Sequence, residues 1–323
     1  MNIESFPGYQ TAIQQASCFL HPGGSLIQIA GPDRVAFVQR QTTNDAHQLE
    51  AGRLQLSVLT NPTARILDVF HILPEAEWLT LLTLPGRGPV TTGYLNRRIF
   101  FMDKVTITDL SAAYDQIELI GPQVADGLAR LGVQTLPSNL GVISARIGEV
   151  ETHLLATSRA ISFGYRLLAP ADATQVVLAT LLAAGFSQLD AVTFDLLRIE
   201  AGLPAVDREL SEEYTPLEVR LIEAISDSKG CYTGQEIIAR QITYDKVTQQ
   251  LCGVHFSQPI TGNRVWVAGK AAGVVTSTAS SPRLGPIGLA IIKRPNHQPG
   301  TVLIIGNAPE AAQTAEVVAL PFI

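Results

Sequence analysis

The sequence predicts an α+β protein in which two related α/β modules precede a small antiparallel β-barrel. Two segments share the order strand, Gly-Pro, helix, one at Gly31-Pro32 and the other at Gly121-Pro122. After Thr248, short apolar runs alternate with glycine and proline at regular spacing, which is typical of a small barrel. A length of 323 residues is enough for two or three such domains.

The first module follows from the stretch SLIQIAGPDRVAFVQRQ, which begins at Ser25. Its apolar residues predict a buried strand, and Gly31 predicts the turn. Pro32 suits the first position of a helix, because its missing N–H would be unpaired there. The stretch YDQIELIGPQVADGLARLG, from Tyr114, has the same order. The repeat indicates a duplicated module, although Gly-Pro is also a common way for a chain to leave a strand.

The remaining elements follow from hydrophobic periodicity. Residues 55–83 alternate in the manner of strands, and NRRIFFMDKVTITDL predicts the end of a helix followed by a strand. The barrel strands are predicted in QQLCGVHF, NRVWVAGKAAGVVTST, IGLAIIK and TVLIIG. The boundary before the barrel therefore falls near Asp245 to Thr248.

Composition excludes several classes of function. The net charge of −6 gives no overall basic field for nucleic acid or an anionic membrane, which leaves only a local basic patch for such contacts. No apolar run is long enough to span a bilayer, and the N-terminus MNIESFPGYQ lacks a secretory-signal pattern. Three widely spaced cysteines predict a reducing cytoplasm rather than a disulfide framework. The sequence contains no CxxC or HxxxH pair, so we do not expect a closed zinc site.

Glu200 is the first candidate site residue, in the stretch DAVTFDLLRIEAGLPAVD, which predicts a helix. The apolar face of this helix is formed by Val192, Leu196 and Ile199. Glu200 lies at the edge of that face and in the last turn, where the helix dipole disfavours a carboxylate. A planar pair of donors would offset both costs. Such a pair is either an arginine, for example Arg198 or Arg208, or the N–H and NH₂ edge of a pterin or guanine.

Cys231 is the second candidate, in SDSKGCYTGQEIIARQI. It lies just before a predicted helix, and the pattern Thr233-x-x-Glu236 matches a capping box at the start of that helix. The helix N-terminus and nearby Lys229 both favour the thiolate, which is the reactive and metal-binding form of cysteine. The alternative is a small apolar residue buried in the turn, because free cysteines are often buried.

The third candidate site lies in RQTTNDAHQLEAG and NPTARILDVFHIL. Asn44 and Asp45 end the first predicted helix, and Asp68 lies inside an apolar strand between Leu67 and Val69. An aspartate in such a strand is costly unless it is paired or faces a cavity. The pattern alone favours an outward orientation of Asp68 on the alternate face of the strand.

Several of these stretches together resemble the YgfZ family of folate-binding proteins, which are relatives of the glycine cleavage T-protein (aminomethyltransferase). The resemblance is carried by RIEAGLP, TPLEVRLIEAISDSKGCYTGQEIIAR, VVTSTASSPRLGPIGLAIIK, QRQTTNDAHQL and VLTNPTARILDVF, and it covers nearly the whole chain. KGCYTGQE is its most specific element. The PLE stretch is similar to the branch from plant organelles and cyanobacteria.

The resemblance implies a three-lobed, T-protein-like ring around a central folate channel. It implies two related ferredoxin-like α/β lobes and a C-terminal antiparallel β-barrel. A discontinuous folate-binding lobe would comprise residues 1–111 and 190–245, the second lobe residues 112–189, and the barrel residues 246–323. The implied cofactor is tetrahydrofolate, with Glu200 on the pterin edge and Asn44, Asp45 and Arg240 as further candidate contacts. The spacing does not distinguish Arg240 from the other cations that could reach an anionic folate tail, which are Arg40, Arg97, Arg98 and Lys246.

The function implied by the resemblance is assembly or repair of iron–sulfur enzymes, including those that modify tRNA, with Cys231 as the functional thiol and Lys229 beside it. The implied partners are folate and iron–sulfur client proteins, without direct contact to nucleic acid or membrane. The alternative is a tetrahydrofolate-dependent aminomethyl or methyl transferase of the T-protein type that uses Asp68. The T-protein has Gly-Gly before a pair of aspartates, whereas Thr63-Ala64 and Leu67-Asp68 stand here. A folate store or sensor, the third reading, would need only Glu200.

Overall fold

A computed structural model describes residues 6, 8–23, 25–157, 164–311 and 313–322. They form two compact units. The two-sheet unit comprises Gly8–Asp190 and Glu223–Gln235, and the barrel unit is built from Ala191–Ile222 and Glu236–Ile323. The prediction about the N-terminal stretch falls partly on residues 1–5 and 7, which lie outside the described residues.

The two-sheet unit opens with helix α1 (Tyr9–Gln14) and strand β1 (Ser17–Leu20). The first sheet and its helices then follow as β2 (Leu26–Ala30), α2 (Arg34–Gln41), β3 (Gln55–Thr60), β4 (Ile66–Pro74), β5 (Trp78–Leu82), α3 (Gly88–Asn96) and β6 (Thr106–Asp109). The second group comprises β7 (Tyr114–Ile120), α4 (Val124–Arg130), β8 (Val142–Ile147), β9 (Val150–Ala156), β10 (Tyr165–Pro170), α5 (Thr174–Ala183) and β11 (Ser187–Gln188).

The predicted duplication is confirmed by the topology of the two sheets. Each lobe has the chain order strand, helix, three strands, helix, strand. The strand order across the first sheet is β3-β4-β5-β2-β6, and across the second it is β8-β9-β10-β7-β1-β11. The second sheet thus repeats the first with β1 inserted between β7 and β11. Strand β1 pairs antiparallel with β7 and parallel with β11.

A glycine ends the first strand of each lobe, as the sequence predicts. Gly31 has φ +107° and Gly121 has φ +113°, a conformation that side chains with a Cβ rarely adopt. A Cβ atom at Gly31 would collide with the carbonyl oxygen of Lys104, and one at Gly121 would collide with that of Gln15. Helix α2 begins at Arg34, two residues after Pro32, so the placement of Pro32 at the first helical position was wrong.

Each lobe has its own apolar core between its sheet and helices. Phe37, Phe70 and Leu95 are fully buried in the first lobe, and Val177 and Leu181 of α5 are fully buried in the second. A further cluster joins the two sheets and consists of Leu26, Leu54, Leu73, Leu82, Leu155 and Leu168. The two lobes are therefore packed into one unit by burial of apolar surface.

The barrel unit contains helix α6 (Ala191–Glu200), and α7 (Gln235–Thr243) leads into its barrel. The barrel is closed, antiparallel and six-stranded, in the order β12-β15-β14-β13-β16-β17. Its strands are β12 (Gln249–Phe256), β13 (Arg264–Val267), β14 (Lys270–Ser281), β15 (Gly285–Lys293), β16 (Val302–Ile305) and β17 (Gln313–Val318). The predicted barrel is confirmed, but the sequence reading missed β17.

Two further sequence predictions, on strand β1 and on Val192, are wrong. Strand β1 belongs to the second sheet, although the predicted boundaries assigned it to the first lobe. Val192 is 65% exposed, so it does not belong to the apolar face of α6. The predicted three-lobe boundaries otherwise stay a prediction. Across the described residues, no helix is both long and apolar enough to span a membrane.

Candidate functional site

Cys231 is exposed, whereas Cys18 and Cys252 are buried. The alternative that Cys231 is a small residue buried in the turn is therefore wrong. Burial raises the pKa of Cys18 to about 12 and that of Cys252 to about 11, the latter against the lowering effect of the Arg220 charge. The thiol of Cys231 is thus the one that solvent and partner molecules can reach.

Lys229 anchors the segment that carries Cys231. Its ammonium group donates to the carbonyl oxygens of Gln39, Thr42 and Asn44 at 2.8, 2.7 and 2.6 Å. It also lies 5.0 Å from the ring centroid of Tyr232, within the range of a cation–π contact. Burial lowers the pKa of Lys229 to about 8, against the raising effect of the Asp45 charge.

The contacts of Lys229 bear on its predicted role beside the thiol. Three carbonyl oxygens satisfy the three donors of its ammonium group. This geometry is that of an anchor between two chain segments. The structure therefore brings Lys229 together with Asn44 and Asp45, two other predicted site residues.

The other side of the cysteine turn is fixed by Gly234. It has φ +85°, and a Cβ atom there would lie 2.8 Å from Thr60 Oγ1 and 2.9 Å from the carbonyl oxygen of Asn61. The hydroxyl of Thr60 donates to the carbonyl oxygen of Thr233 at 2.7 Å. Only glycine combines this backbone conformation with so close an approach.

The predicted capping box at the start of α7 is wrong. Helix α7 begins at Gln235, and the Glu236 side chain forms an ion pair with Arg240 at 2.7 Å instead of returning to Thr233. The N–H of Thr233 donates to the carbonyl oxygen of Arg40. Tertiary contacts therefore replace the local cap. The Arg240 guanidinium, predicted as a folate contact, is exposed and occupied by this pair on the helix surface.

Asn44 and Asp45 form a tight, hydrogen-bonded turn after α2. The side-chain amide of Asn44 donates to the carbonyl oxygen of Leu56 at 2.8 Å. The side-chain oxygen Oδ1 of Asn44 accepts from the N–H of Asp45. Asp45 Oδ1 accepts from the Gln39 amide at 2.9 Å and from the backbone N–H of His47 at 3.1 Å. Both side chains hold the turn in place. Their predicted role in binding folate stays a prediction.

Asp68 is fully buried, so the outward orientation favoured by the sequence pattern is wrong. Its carboxylate accepts from the hydroxyl of Thr91 at 2.6 Å and from the backbone N–H groups of Val69 and Leu84 at 2.8 and 3.2 Å. Burial raises the pKa of Asp68 to about 7, against the lowering effects of these hydrogen bonds and of the Arg87 charge. Successive residues of a strand point to opposite faces, so Val69 faces away from Thr91.

Glu200 lies in the barrel unit and is fully buried at the end of α6. The hydroxyl of Ser281 donates to its Oε1 at 2.5 Å, and the Arg283 guanidinium lies 3.9 Å from its Oε2. Ser281 Oγ also accepts from the backbone N–H groups of Arg283 and Leu284. The arginine beside Glu200 is thus Arg283, from the turn between β14 and β15.

The sequence reading missed a buried polar network that fixes α6 to the barrel. Arg198 is 4% exposed and donates to Asp195 at 2.7 Å, to Ser277 at 2.8 Å and to Glu209 at 3.3 Å. Glu209 is fully buried and also accepts from the hydroxyl of Thr276. The Ser/Thr-rich strand VVTSTASS was the available signal, because hydroxyls inside a barrel strand need acceptors. Through α6, this network sets the position of Glu200.

In the described part of the chain, no group of three or more His, Cys, Asp or Glu side chains is arranged to hold a metal ion. The contacts described above divide the predicted site residues into three sets. The cysteine turn and the Asn44-Asp45 turn are joined by Lys229, Asp68 is buried against α3, and Glu200 lies in the barrel unit.

Comparison with known proteins gives matches along most of the chain. Residues 23–229 match the GCVT N-terminal domain, and residues 249–323 match the glycine cleavage T-protein C-terminal barrel domain. A protein of Arabidopsis thaliana named "Putative transferase, chloroplastic" is 34% identical over 87% of this chain, and the chain spans 66% of that relative's length. The aminomethyltransferase of Saccharopolyspora erythraea is 32% identical over 92% of this chain and 83% of its own length.

The fold is shared with a solved structure. The crystal structure of the glycine cleavage system aminomethyltransferase T from Bartonella henselae superposes with a TM-score of 0.86, covering 98% of this chain and 89% of that one at 22% identity. Two α/β lobes and a closed six-stranded barrel are thus the common architecture. Since the N-terminal domain match alone covers more than half of the residues, the chain belongs to the glycine cleavage T-protein family.

Proposed function

We propose that the chain binds tetrahydrofolate and is an accessory factor for the assembly or repair of iron–sulfur enzymes, with Cys231 as its functional thiol. The observation that carries the proposal is the exposed Cys231 in a rigid turn. Lys229 fixes the segment before it through three hydrogen bonds, and Gly234 fixes the segment after it. A thiol with only a packing role would be buried, as Cys18 and Cys252 are.

Folate binding is supported by family membership and by the chemistry of Glu200. Relatives that share the domains of this chain are named aminomethyltransferases. A buried carboxylate is the acceptor that the N–H and NH₂ edge of a pterin requires, and Ser281 with the α6 network holds it in one orientation. We assign Glu200 to the pterin edge. Asn44, Asp45 and Arg240 remain the proposed further contacts.

The proposed clients are iron–sulfur proteins, including enzymes that modify tRNA, and the proposed location is the cytoplasm. Cys231 would act either as a transient ligand of iron or by thiol exchange with a damaged cysteine. A cluster normally needs four protein ligands, so one cysteine requires further ligands from a client, a second subunit or a small thiol. The exposure of Cys231 makes such shared ligation sterically feasible.

The second candidate function is a tetrahydrofolate-dependent aminomethyl or methyl transferase. It is favoured by the names of the relatives, which are transferases. The contacts of Asp68 speak against it. Thr91, Leu84 and Val69 occupy its carboxylate with three hydrogen bonds. The sequence also lacks the Gly-Gly and the pair of aspartates of the T-protein, since Thr63-Ala64 and Leu67-Asp68 stand there. In this structure Asp68 has the contacts of a structural residue.

Calorimetric titration of tetrahydrofolate tests the first half of the proposal. Wild type and Cys231→Ala are expected to bind alike, whereas Glu200→Ala binds at least about tenfold more weakly, a loss of about 1.4 kcal/mol. Glu213→Ala, at an exposed carboxylate of the same unit, is the matched control and keeps wild-type affinity. No heat of binding with the wild type would contradict the folate assignment.

Complementation of iron–sulfur enzyme activity in cells lacking the gene tests the second half. Cys231→Ala is expected to fail, and Asp68→Asn is expected to complement. The transferase function requires the reverse pattern, and a folate store requires that both variants complement. The three functions are therefore separated by two substitutions in one assay.

A further inference from the structure

Three consecutive large apolar side chains are exposed in the turn between α3 and β6. Phe100 is 65% exposed, Phe101 98% and Met102 73%. We call these three residues the apolar tip. Single exposed apolar residues are common on protein surfaces, but a contiguous exposed group marks an interaction site more often than chance.

The turn that carries the apolar tip is closed by hydrogen bonds. The N–H of Asp103 donates to the carbonyl oxygen of Phe100, and the N–H of Phe100 donates to Asp103 Oδ2, both at 2.9 Å. The Arg40 guanidinium donates to both carboxylate oxygens of Asp103 at 2.9 Å and lies 5.9 Å from the Phe100 ring. The turn therefore holds the apolar tip in solvent in a defined conformation.

The surroundings of the apolar tip carry more cationic than acidic side chains. Arg97 and Lys104 flank it in sequence and are exposed. Asp103 is the only acidic residue from Arg97 to Lys104, and Arg40 neutralises it. A second carboxylate, that of Asp33, accepts from the backbone N–H of Lys104 at 2.9 Å. An apolar centre with a cationic rim is complementary to an apolar surface edged by carboxylates.

Arg40 connects the apolar tip with Cys231. Its side chain holds the tip turn, and its carbonyl oxygen accepts from the N–H of Thr233 at 3.3 Å. Thr233 is two residues after Cys231, a distance of at most about 7 Å along the chain. With the length of the arginine side chain and its 5.9 Å separation from the Phe100 ring added, the Cys231 backbone lies within about 26 Å of that ring. A bound, extended polypeptide of about eight residues can span that distance.

We propose that the apolar tip, with Arg97 and Lys104, is the docking surface for the protein that reacts with Cys231. Its occupant is a polypeptide segment that carries apolar side chains, flanking carboxylates and a cysteine. This inference rests on the proposed function of Cys231 and adds how the client is selected. A protein fits better than an anionic bilayer, because the chain as a whole carries a charge of −6.

The test uses the purified full-length chain and three synthetic ten-residue peptides, each with a cysteine at one end that is activated as a 2-pyridyl disulfide. One peptide is apolar and acidic, one apolar and basic, and one polar and acidic. The Cys231 thiolate attacks the peptide sulfur, the peptide–pyridyl S–S bond breaks, and pyridine-2-thione leaves with the electron pair and takes up a proton. Absorbance of the thione gives the rate. A small probe, 2,2′-dipyridyl disulfide, reports the intrinsic reactivity of the thiol.

The apolar acidic peptide is expected to react at least tenfold faster than the other two. Phe100→Ser/Phe101→Ser/Met102→Ser removes this preference and leaves the rate with the small probe unchanged. Val176→Ser/Leu182→Ser, at exposed apolar residues of α5, is the matched control and keeps the preference. Arg97→Glu/Lys104→Glu shifts the preference toward the basic peptide.

Other outcomes overturn the proposal in distinguishable ways. Equal rates for the three peptides, with a fast reaction of the small probe, would remove the docking surface and leave the functional thiol in place. No reaction of Cys231 with the small probe would remove both. Flotation of the wild type, but not of the triple serine variant, with 3:1 phosphatidylcholine/phosphatidylglycerol vesicles would assign the tip to a bilayer instead.

Discussion

The Lys229 ammonium group lies 2.6 Å from the carbonyl oxygen of Asn44 and joins two turns that are 185 residues apart in the chain. One turn follows the first helix of the first lobe, and the other carries the exposed thiol. A buried cation with three carbonyl acceptors is worth more to the fold than a surface lysine, because its loss leaves the acceptors unpaired.

Lys229→Met is expected to lower the free energy of unfolding by about 2–3 kcal/mol, because three carbonyl groups lose their donor in two buried hydrogen bonds and one partly buried one. Urea denaturation measures the change. Lys270→Met, at an exposed lysine of the barrel, serves as the control and changes stability by less than about 0.5 kcal/mol. Equal stability of the two variants would contradict the anchoring role of Lys229.

The two glycines that flank Cys231 are expected to differ in their tolerance of a methyl group. Gly234→Ala should cost at least about 2 kcal/mol, because φ is +85° and the new Cβ would meet Thr60 and Asn61. Gly230→Ala meets no atom within 4 Å and should stay within about 1 kcal/mol of wild type. Thermal unfolding of the pair compares them. A Gly234→Ala variant as stable as Gly230→Ala would refute the fixed turn.

Native thiol titration with Ellman's reagent should modify one cysteine per chain. Cys231 is exposed, whereas burial keeps Cys18 and Cys252 away from solvent and raises their pKa values. Cys231→Ser should reduce the native count to zero, and all remaining thiols should react only in denaturant. Fast modification of two or three thiols in the native wild type would show that the burial of the other two is wrong.

Asp68 should impose a pH dependence on stability. Its folded pKa of about 7 exceeds the ordinary value of 3.8, so the folded state binds more protons than the unfolded chain between these values. The unfolding free energy contributed by this group is therefore present below about pH 4 and is lost as the pH rises to 7. Asp68→Asn should remove that slope and be at least as stable as wild type at pH 8.

The control for this measurement is Asp126→Asn, at an exposed aspartate of α4, which should keep the wild-type slope. Denaturant midpoints at pH 4, 5.5, 7 and 8 provide the comparison. If Asp68→Asn and wild type keep the same slope of unfolding free energy from pH 4 to 7, Asp68 does not titrate in that range. The full burial of its carboxyl group would then be wrong.

Local patterns were sufficient to predict the two modules and the barrel. The strand–glycine–helix units at Gly31 and Gly121 are set by residues close together in sequence, so they can be recognised without the fold. The orientation of Asp68 could not be recognised in this way. Its partner Thr91 is 23 residues away on α3, and strand alternation alone cannot identify such a partner.

The candidate site depended still more on long-range contacts. The sequence indicated Lys229 and Asn44 separately, but nothing in either stretch pairs them. The Thr233–Glu236 spacing predicted a local cap, yet Thr60 and Arg40 supply the contacts instead. Tertiary hydrogen bonds outweigh a local motif wherever they satisfy the same groups with less strain.

The insertion of β1 into the second sheet has a consequence for synthesis of the chain on the ribosome. Cys18 of β1 pairs with Leu119 of β7, which is made about a hundred residues later. At about 5–20 residues per second, this strand waits for several seconds without its partner. The first sheet, from β2 to β6, needs none of β1 and can assemble meanwhile. Among the described strands, β1 is thus made first but is paired only after the whole first sheet has been synthesised, and during that interval its backbone edges are open to wrong partners.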